Sequence, residues 1–200
     1  YLGGKAEILT RQIDQEYLLG DTLQAHFLQS RFETFMLGMD RILSQHPTLR
    51  LDRWVSFASK AARTEAQRKQ YEMNARRIVT VWGPPVDDYS ARMWSGLVGS
   101  YYLGRWKEYY KGRDSGKSAD LSSWERKWVE ENRVYKKWNS DFDLIDFSRK
   151  MIGLSQDISS ADLLLNRPAM IGTWSLARNS SKDLLFNIPC LLYTSDAADE

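Results

Sequence analysis

Apolar residues in the first part of the chain recur at the spacing of an amphipathic helix. Between Gly4 and about Pro47 the stripe advances in steps of three and four, through Phe32, Phe35, Met36, Met39, Ile42 and Leu43. That period is typical of an α-helix with one buried face. Gly20-Asp21 predicts a break that divides the helix into two pieces. Pro47 ends the pattern, because the residue before a proline is pushed out of the helical region.

Capping residues and breakers predict the next helices. A short helix is expected from about Leu51 to Ala62. Thr64 followed by Gln67 has the form of a capping box, so a helix should run from Glu65 to about Val81. Gly83-Pro84-Pro85 then ends that helix.

A long helix is predicted after this breaker, because apolar residues again recur at each turn. Asp87 or Asp88 can cap it, and it should reach about Tyr110. Its turns carry Tyr89, Met93, Leu97 and Tyr101. The polar run 111–119, with two glycines, is predicted to be a loop.

Ser122 and Glu125 form a second apparent capping box. It predicts a helix with one aromatic face, which carries Trp124, Trp128, Tyr135 and Trp138. A last short helix is expected from Asp143 to Ile152. No segment before residue 153 alternates as a strand. The predicted fold class is therefore all-α, a bundle or array of about five to seven helices with a poorly structured C-terminal tail.

Composition narrows the classes of function. The net charge of +2 gives no reason to expect nucleic acid or a membrane surface as a partner. One cysteine excludes an internal disulfide framework. His26 and His46 have no second ligand at metal spacing, so no metal or other cofactor is predicted. The outlier is the content of 8 Trp and 10 Tyr, which indicates either dense packing or rings that stack on flat ligands such as sugars.

The end of the chain carries weaker signals. Residues 153–189 stay unassigned, either the start of an accessory module or a disordered segment. The final run CLLYTSDAADE, residues 190–200, back-translates to a transposase-type adapter used in DNA library preparation. We interpret it as adapter read-through from shotgun sequence, most simply of microbial origin. The alternative is a genuine flexible tail.

One constellation combines rings with hydrogen-bonding groups at a corner between two predicted helices. It reads E-x-N-A-R from Glu72, T-x-W-G-P from Thr80, Asp88-Tyr89, and W-x-G-L-x-x-x-Y-Y-x-x-R-W from Trp94 to Trp106. Rings on loops are what a sugar pocket uses, because their faces pack on pyranose C–H groups. From composition and spacing alone, rings that staple two helices together are the commoner explanation.

This constellation resembles the C-terminal helical domain of the α-N-acetylglucosaminidases, glycoside hydrolase family 89. The resemblance covers about Gly4 to Ile152, and the stretch from Trp82 to Trp106 carries most of its specificity. The loop between Trp82 and Tyr89 is shorter than in the animal lysosomal members. Ser90, Arg92 and Met93 also depart from the usual residues, which leaves the detailed shape of that loop open.

The resemblance implies a role beside a catalytic domain. Family members cleave terminal α-linked N-acetylglucosamine with retention, using two glutamates on an upstream barrel, so no catalytic residue is assigned in this chain. Trp82 and Tyr89 match positions of the pocket wall and are the predicted substrate-binding residues, with Asp88, Arg76 and Asn74 in support. The implied partners are the barrel of the same parent chain and a glycan. The parent is expected to be secreted or periplasmic in a bacterium, and lysosomal in animal relatives.

Two alternatives stay open at this point. The chain could be a stand-alone helical carbohydrate-binding module that uses its tryptophan-rich face. It could also be a structural module without activity, in which every ring belongs to the core.

Overall fold

The regular structure of the chain is helical. A computed structural model describes residues 1–81, 92–131, 138 and 141–159. Its helices are α1 (Leu2–Leu19), α2 (Thr22–Leu43), α3 (Leu51–Lys60), α4 (Glu65–Ile78), a π-helical segment (Leu97–Tyr102) that leads into α5 (Leu103–Ser115), α6 (Leu121–Glu130) and α7 (Leu144–Gly153). Among these described ranges the only extended pairing is an isolated bridge between Arg50 and Ser95. The predicted all-α class is confirmed.

Local signals placed the first helices and the last one correctly. Gly20 ends α1 in the left-handed region, at φ +79°, and α2 begins two residues later. The Thr64 hydroxyl accepts a hydrogen bond from the Gln67 amide at 3.2 Å, as a helix N-cap should. The Gln67 side chain reaches Arg63 N rather than Thr64 N, so the box closes one residue earlier than expected. Asp143 caps α7.

The single helix predicted from Asp87 or Asp88 to about Tyr110 is wrong over residues 92–96, whereas residues 97–110 are helical as expected. Residues 92–94 have no regular structure, and Ser95 pairs with Arg50. Gly96 then takes φ +91°, so a helix cannot run continuously through it to Leu97. The helix that follows continues to Ser115, so the loop predicted from Lys111 is also wrong over 111–115.

The predicted capping box at Ser122 is wrong as well. Asp120 caps α6, accepting a hydrogen bond from Ser123 N at 3.0 Å. Glu125 instead faces inward, where it pairs with an arginine. The helix ends at Glu130, so Trp138 is not on its face. Tyr135, residues 160–189 and the interpreted read-through at 190–200 lie outside the described residues.

The chain divides into two compact units, with the boundary inside α2. The first unit contains Tyr1–Gly38 and the described residues from Asp143 onward. Its core joins the inner faces of α1 and α2 to α7, and its buried apolar residues are Ala6, Leu9, Ile13, Ala25, Leu28, Phe32, Phe35, Met36, Met151 and Ile158. The segment after α7 is held by Lys5 Nζ, which donates to Ile158 O at 2.5 Å, and by Arg31, which donates to Asp157 at 2.6 Å.

The second unit contains Met39–Phe142 and carries the corner singled out in the sequence. Its core is built on α3 to α6, with buried apolar residues that include Leu51, Val55, Leu97, Val98, Tyr101, Trp106, Tyr109 and Trp128. Several charged side chains are buried with them.

Candidate functional site

The corner has two described arms, on either side of residues 82–91. The upstream arm is the end of α4. Arg76 is buried there, and its Nε donates to Val129 O of α6 at 2.9 Å. The Arg76 carbonyl accepts from the Thr80 hydroxyl at 2.7 Å. From α3, Trp54 Nε1 donates to Ala75 O at 2.9 Å. Contacts from both α3 and α6 therefore fix the chain just before residue 82.

Two polar residues of α4 are partly exposed. Glu72 accepts a hydrogen bond from the Ser59 hydroxyl of α3 at 2.9 Å. Asn74 is partly exposed, and its Oδ1 accepts from Gln70 Nε2 at 2.9 Å. Residues two apart on a helix do not share a face. Asn74 and Arg76 are therefore not brought together.

The downstream arm begins as a short piece of extended chain. Ser95 N donates to Leu49 O at 2.8 Å, and Leu51 N donates to Ser95 O at 2.9 Å. These two bonds hold the chain after residue 91 against the start of α3. Since they join residues far apart in sequence, no local pattern predicts them.

A buried carboxylate completes this arm. Asp40, at the end of α2, is 1% exposed. Its Oδ1 accepts from Gly96 N at 2.7 Å and from Gly99 N at 2.8 Å. Its Oδ2 accepts from Ser95 Oγ at 3.2 Å and from Trp138 Nε1 at 2.6 Å. A buried charge is tolerated when it is fully hydrogen-bonded, and here four donors surround it.

The glycines around Asp40 are required by its position. Gly96 supplies the positive φ that turns its amide toward the carboxylate. A Cβ on Gly99 would lie 2.9 Å from Asp40 Cγ, closer than side chains approach. Gly96, the glycine of the sequence motif, thus donates to a carboxylate that the motif does not include.

Asp40 is the site residue that sequence reasoning missed, although a signal was present. It lies four residues after Met36 on the buried face of α2, where the other members of the stripe are apolar. A charged residue on an apolar stripe indicates a buried partner set. Which groups donate to Asp40 depends on tertiary contacts, so the donors could not be predicted from the sequence.

The rings of the downstream helix pack inside the second unit. Tyr101, Tyr102 and Trp106 are buried, and Tyr101 lies 5.0 Å from Trp128 and 5.3 Å from Tyr102 between ring centroids. Trp94 is partly exposed, with its ring 5.8 Å from that of Trp54. Arg105 pairs with Glu125 at 2.7 Å, both buried. These residues hold the helices together.

The remaining predicted site residues, Trp82, Asp88 and Tyr89, lie outside the described residues. Within the ranges that the structure describes, no group of three or more His, Cys, Asp or Glu side chains could hold a metal ion. The helices in those same ranges include none with the length and apolar character needed to cross a membrane.

Comparisons with known proteins agree on one family. The family model described as alpha-N-acetylglucosaminidase (NAGLU) C-terminal domain matches residues 1–157. Human alpha-N-acetylglucosaminidase is 37% identical over 72 residues, which are 35% of this chain and 10% of the human protein.

Solved structures of larger enzymes contain the same fold. A family 89 glycoside hydrolase from Clostridium perfringens, in complex with 2-acetamido-1,2-dideoxynojirmycin, superposes with a TM-score of 0.67 at 25% identity, covering 77% of this chain and 20% of that one. A variant of the bacterial enzyme in complex with its substrate GlcNAc-alpha-1,4-galactose gives the same TM-score at 24% identity, covering 82% of this chain and 21% of that one. The chain thus spans about a fifth of these structures and a tenth of the human relative.

Proposed function

The chain belongs to the alpha-N-acetylglucosaminidase C-terminal domain family, and from this we propose that it forms the non-catalytic part of a retaining exo-α-N-acetylglucosaminidase. In this proposal it contributes wall residues to the pocket that receives a terminal α-linked N-acetylglucosamine. The observation that carries the proposal is the family match over residues 1–157, which spans both arms of the corner. We infer the class of glycan from the bacterial relative, whose substrate is GlcNAc-alpha-1,4-galactose.

The chemistry divides between this chain and the rest of the enzyme. A retaining glycosidase needs two carboxyl groups about 5 Å apart, one as acid/base and one as nucleophile. The buried carboxylates described here are used otherwise, since Asp40 accepts four hydrogen bonds and Glu125 pairs with Arg105. We assign both catalytic carboxylates to the catalytic domain. This chain supplies shape and stacking surface.

Trp82 and Tyr89 are the proposed contact residues. An indole face covers the apolar face of a pyranose ring, and a phenol hydroxyl can reach a sugar hydroxyl. The assignment is supported by the contacts that hold the chain on both sides of these residues. Arg76 and Trp54 hold the chain before residue 82, while Asp40 and the Leu49–Ser95 pairing hold it after residue 91. Residues that position a substrate contribute most when the chain that carries them is itself held in place.

Kinetics of the full-length enzyme test the assignment. We expect Trp82→Ala to raise KM for an aryl α-N-acetylglucosaminide about tenfold, equal to ~1.4 kcal/mol, with little change in Tm. Tyr89→Phe should raise KM less, because it removes only the hydroxyl. The matched control is Phe57→Ala, which truncates an exposed ring of the same unit. Kinetics of Trp82→Ala equal to those of Phe57→Ala would overturn the pocket assignment.

The 200-residue chain alone tests the division of labour. We expect no turnover of the aryl glycoside by this chain, and turnover when the upstream part of the enzyme is present. Binding of N-acetylglucosamine oligomers by the chain alone would instead favour the stand-alone carbohydrate-binding module. We further propose that the parent enzyme is exported from the cytoplasm, which fractionation of the producing cells would test.

A further inference from the structure

Four large apolar side chains of the first unit surround the Gly20 turn and face solvent. Leu18 and Leu19 end α1, and Leu23 and Phe27 lie one turn apart at the start of α2. Leu23 is 83% exposed, more than any other large apolar side chain in the described part of the chain. We name these four residues the Gly20 patch.

The start of α2 is apolar on two faces. Ala25 and Leu28 are buried in the core of the first unit, whereas Leu23 and Phe27 are exposed. A helix that packs on one side only normally carries polar residues on its opposite face, so a second apolar face is normally buried as well. The core of the first unit covers only one of these faces.

Charge is depleted around the same turn. Between Tyr17 and Ser30 only Asp21 is charged, whereas the chain average of 27% would give about four charged residues in a stretch of that length. Exposed surface that stays in water is usually rich in charge. Depletion of charged residues, rather than apolar character alone, distinguishes the centre of a protein interface.

The outer face of α7 shows the contrast within the same unit. Ile145 is 64% exposed and Ile152 is also exposed. Asp146, Arg149 and Lys150 lie between them, and Lys150 Nζ pairs with Asp146 at 2.9 Å. Single apolar residues on a charged face are ordinary solvated surface. Of these two surfaces, the Gly20 patch alone combines high exposure with a depletion of charged residues.

We propose that the Gly20 patch is a docking surface for an apolar face of the catalytic domain in the same polypeptide. This inference rests on the proposed function. The family is a C-terminal domain, and this chain covers 20% of a solved relative, so most of that enzyme is available as an occupant. A tethered domain meets the patch at an effective concentration on the order of millimolar, which a separate partner rarely reaches.

The test introduces charge into the patch of the full-length enzyme. Leu23→Glu with Phe27→Glu is compared with Ile145→Glu, at an apolar residue on the charged face of the same unit whose exposure of 64% lies between those of Phe27 and Leu23. We expect the double variant to lower the Tm of the enzyme by about 5 °C or more, and the control to change it by at most about 1 °C. Calorimetry with mass measurement by light scattering gives both readouts.

Three results would overturn the proposal. The first is a double variant as stable as the Ile145→Glu enzyme, since the patch would then face water. The second is a fall in molecular mass on substitution, which would make a second copy the occupant. The third is an equal loss of Tm in the 200-residue chain alone, which would place the effect within this chain. Failure of the proposed function is a separate outcome, because an enzyme without activity on the aryl glycoside still reports Tm and mass.

Discussion

The two units of the chain are stabilised by different kinds of buried residue. In the first unit the core is an apolar stripe, through Leu9, Ile13, Phe32 and Phe35, and its buried polar residues are the neutral Thr10 and Ser155. In the second unit Asp40, Arg76, Arg105 and Glu125 are buried as well. Among the described residues, every buried Asp, Glu, Lys or Arg side chain lies in the second unit.

This difference has a physical consequence. An apolar core loses stability gradually as groups are removed, because each contact adds a small, non-directional term. A buried charge depends on a particular partner and is costly once that partner is lost. The second unit should therefore be the more sensitive of the two to conservative changes, and it is the unit that carries the arms of the proposed pocket wall.

The largest effect is expected where a buried ion pair is broken on one side. Arg105 and Glu125 lie 2.7 Å apart, with side chains 4% and 7% exposed. We expect Arg105→Met to lower the free energy of unfolding by about 3–5 kcal/mol, because it leaves Glu125 buried without its cation. Adding Glu125→Leu should restore most of that loss. Urea unfolding of the two single variants and the double variant measures the coupling.

The control for this cycle is an exposed pair in the first unit. Arg11 and Glu7 are 2.5 Å apart on the surface of α1. Arg11→Met should cost at most about 0.5 kcal/mol, since solvent screens the pair. A similar cost for Arg11→Met and Arg105→Met would remove the distinction between the units.

The next effect is expected at the carboxylate that fixes the downstream arm. Asp40→Asn keeps the volume but removes the charge and turns an NH2 group toward amide donors. We expect a loss of about 2–4 kcal/mol, because hydrogen bonds to a charged group contribute more than neutral ones. Ser95→Ala, which removes only the longest of the four bonds at 3.2 Å, should cost about 1 kcal/mol or less. If Asp40→Asn and Ser95→Ala lost equal free energy of unfolding in urea, the four hydrogen bonds to Asp40 would not act together.

These contrasts explain what the sequence could predict. The break at Gly20, the cap at Thr64 and the helix at Asp143–Ile152 were predicted because their signals are local, a glycine or a capping side chain within a few residues of its effect. The apolar stripe of α2 likewise predicted the core of the first unit. In each case the residues that decide the structure are neighbours in the chain.

The second unit was predicted less well because its determinants are distant in sequence. Asp40 accepts from residues 55 to 98 positions away, and the pairing of Ser95 with Arg50 overrides a helical period that Met93 and Leu97 satisfy. Glu125 has the sequence position of a capping-box residue, but in the structure it forms an ion pair with the buried Arg105. In the candidate site, Arg76 and Asn74 lie in the described part of the chain, whereas Trp82, Asp88 and Tyr89 do not. The site roles of all five stay predictions.

A smaller effect compares the same substitution in both units. A Cβ on Gly104 would overlap the indole of Trp124, with Cη2 at 2.8 Å, and a Cβ on Gly38 would overlap Met151, with Sδ at 2.7 Å. The indole is rigid, whereas a methionine end can move. We expect Gly104→Ala to cost about 1–3 kcal/mol and Gly38→Ala about 1 kcal/mol or less, because alanine also favours a helix. Equal costs in urea unfolding would contradict the rigidity argument.

The smallest effect is the pH dependence contributed by one carboxylate of the first unit. The hydrogen bond from Arg31 to Asp157, at 2.6 Å, is the main cause that holds the pKa of Asp157 below its ordinary value. A lowered carboxyl pKa stabilises the folded state above the unfolded pKa of about 3.9, and this contribution is lost as the pH falls through the lower, folded pKa. Asp157 is 68% exposed, so solvent screening keeps the effect small.

Thermal unfolding of the chain and its Asp157→Asn variant at several pH values tests this sign. We expect the variant to unfold at most about 3 °C below the original chain at pH 7 and pH 5. The difference should shrink below about pH 4 and should also shrink in 1 M salt, where the screening length is about 3 Å. Asp146→Asn is the matched control. It removes the carboxylate that pairs with Lys150 along α7, within a single helix, whereas Arg31 and Asp157 join two segments. If the difference in unfolding temperature grew as the pH fell, its sign would be the reverse of the one expected, and Asp157 would not be among the contacts that stabilise the segment after α7.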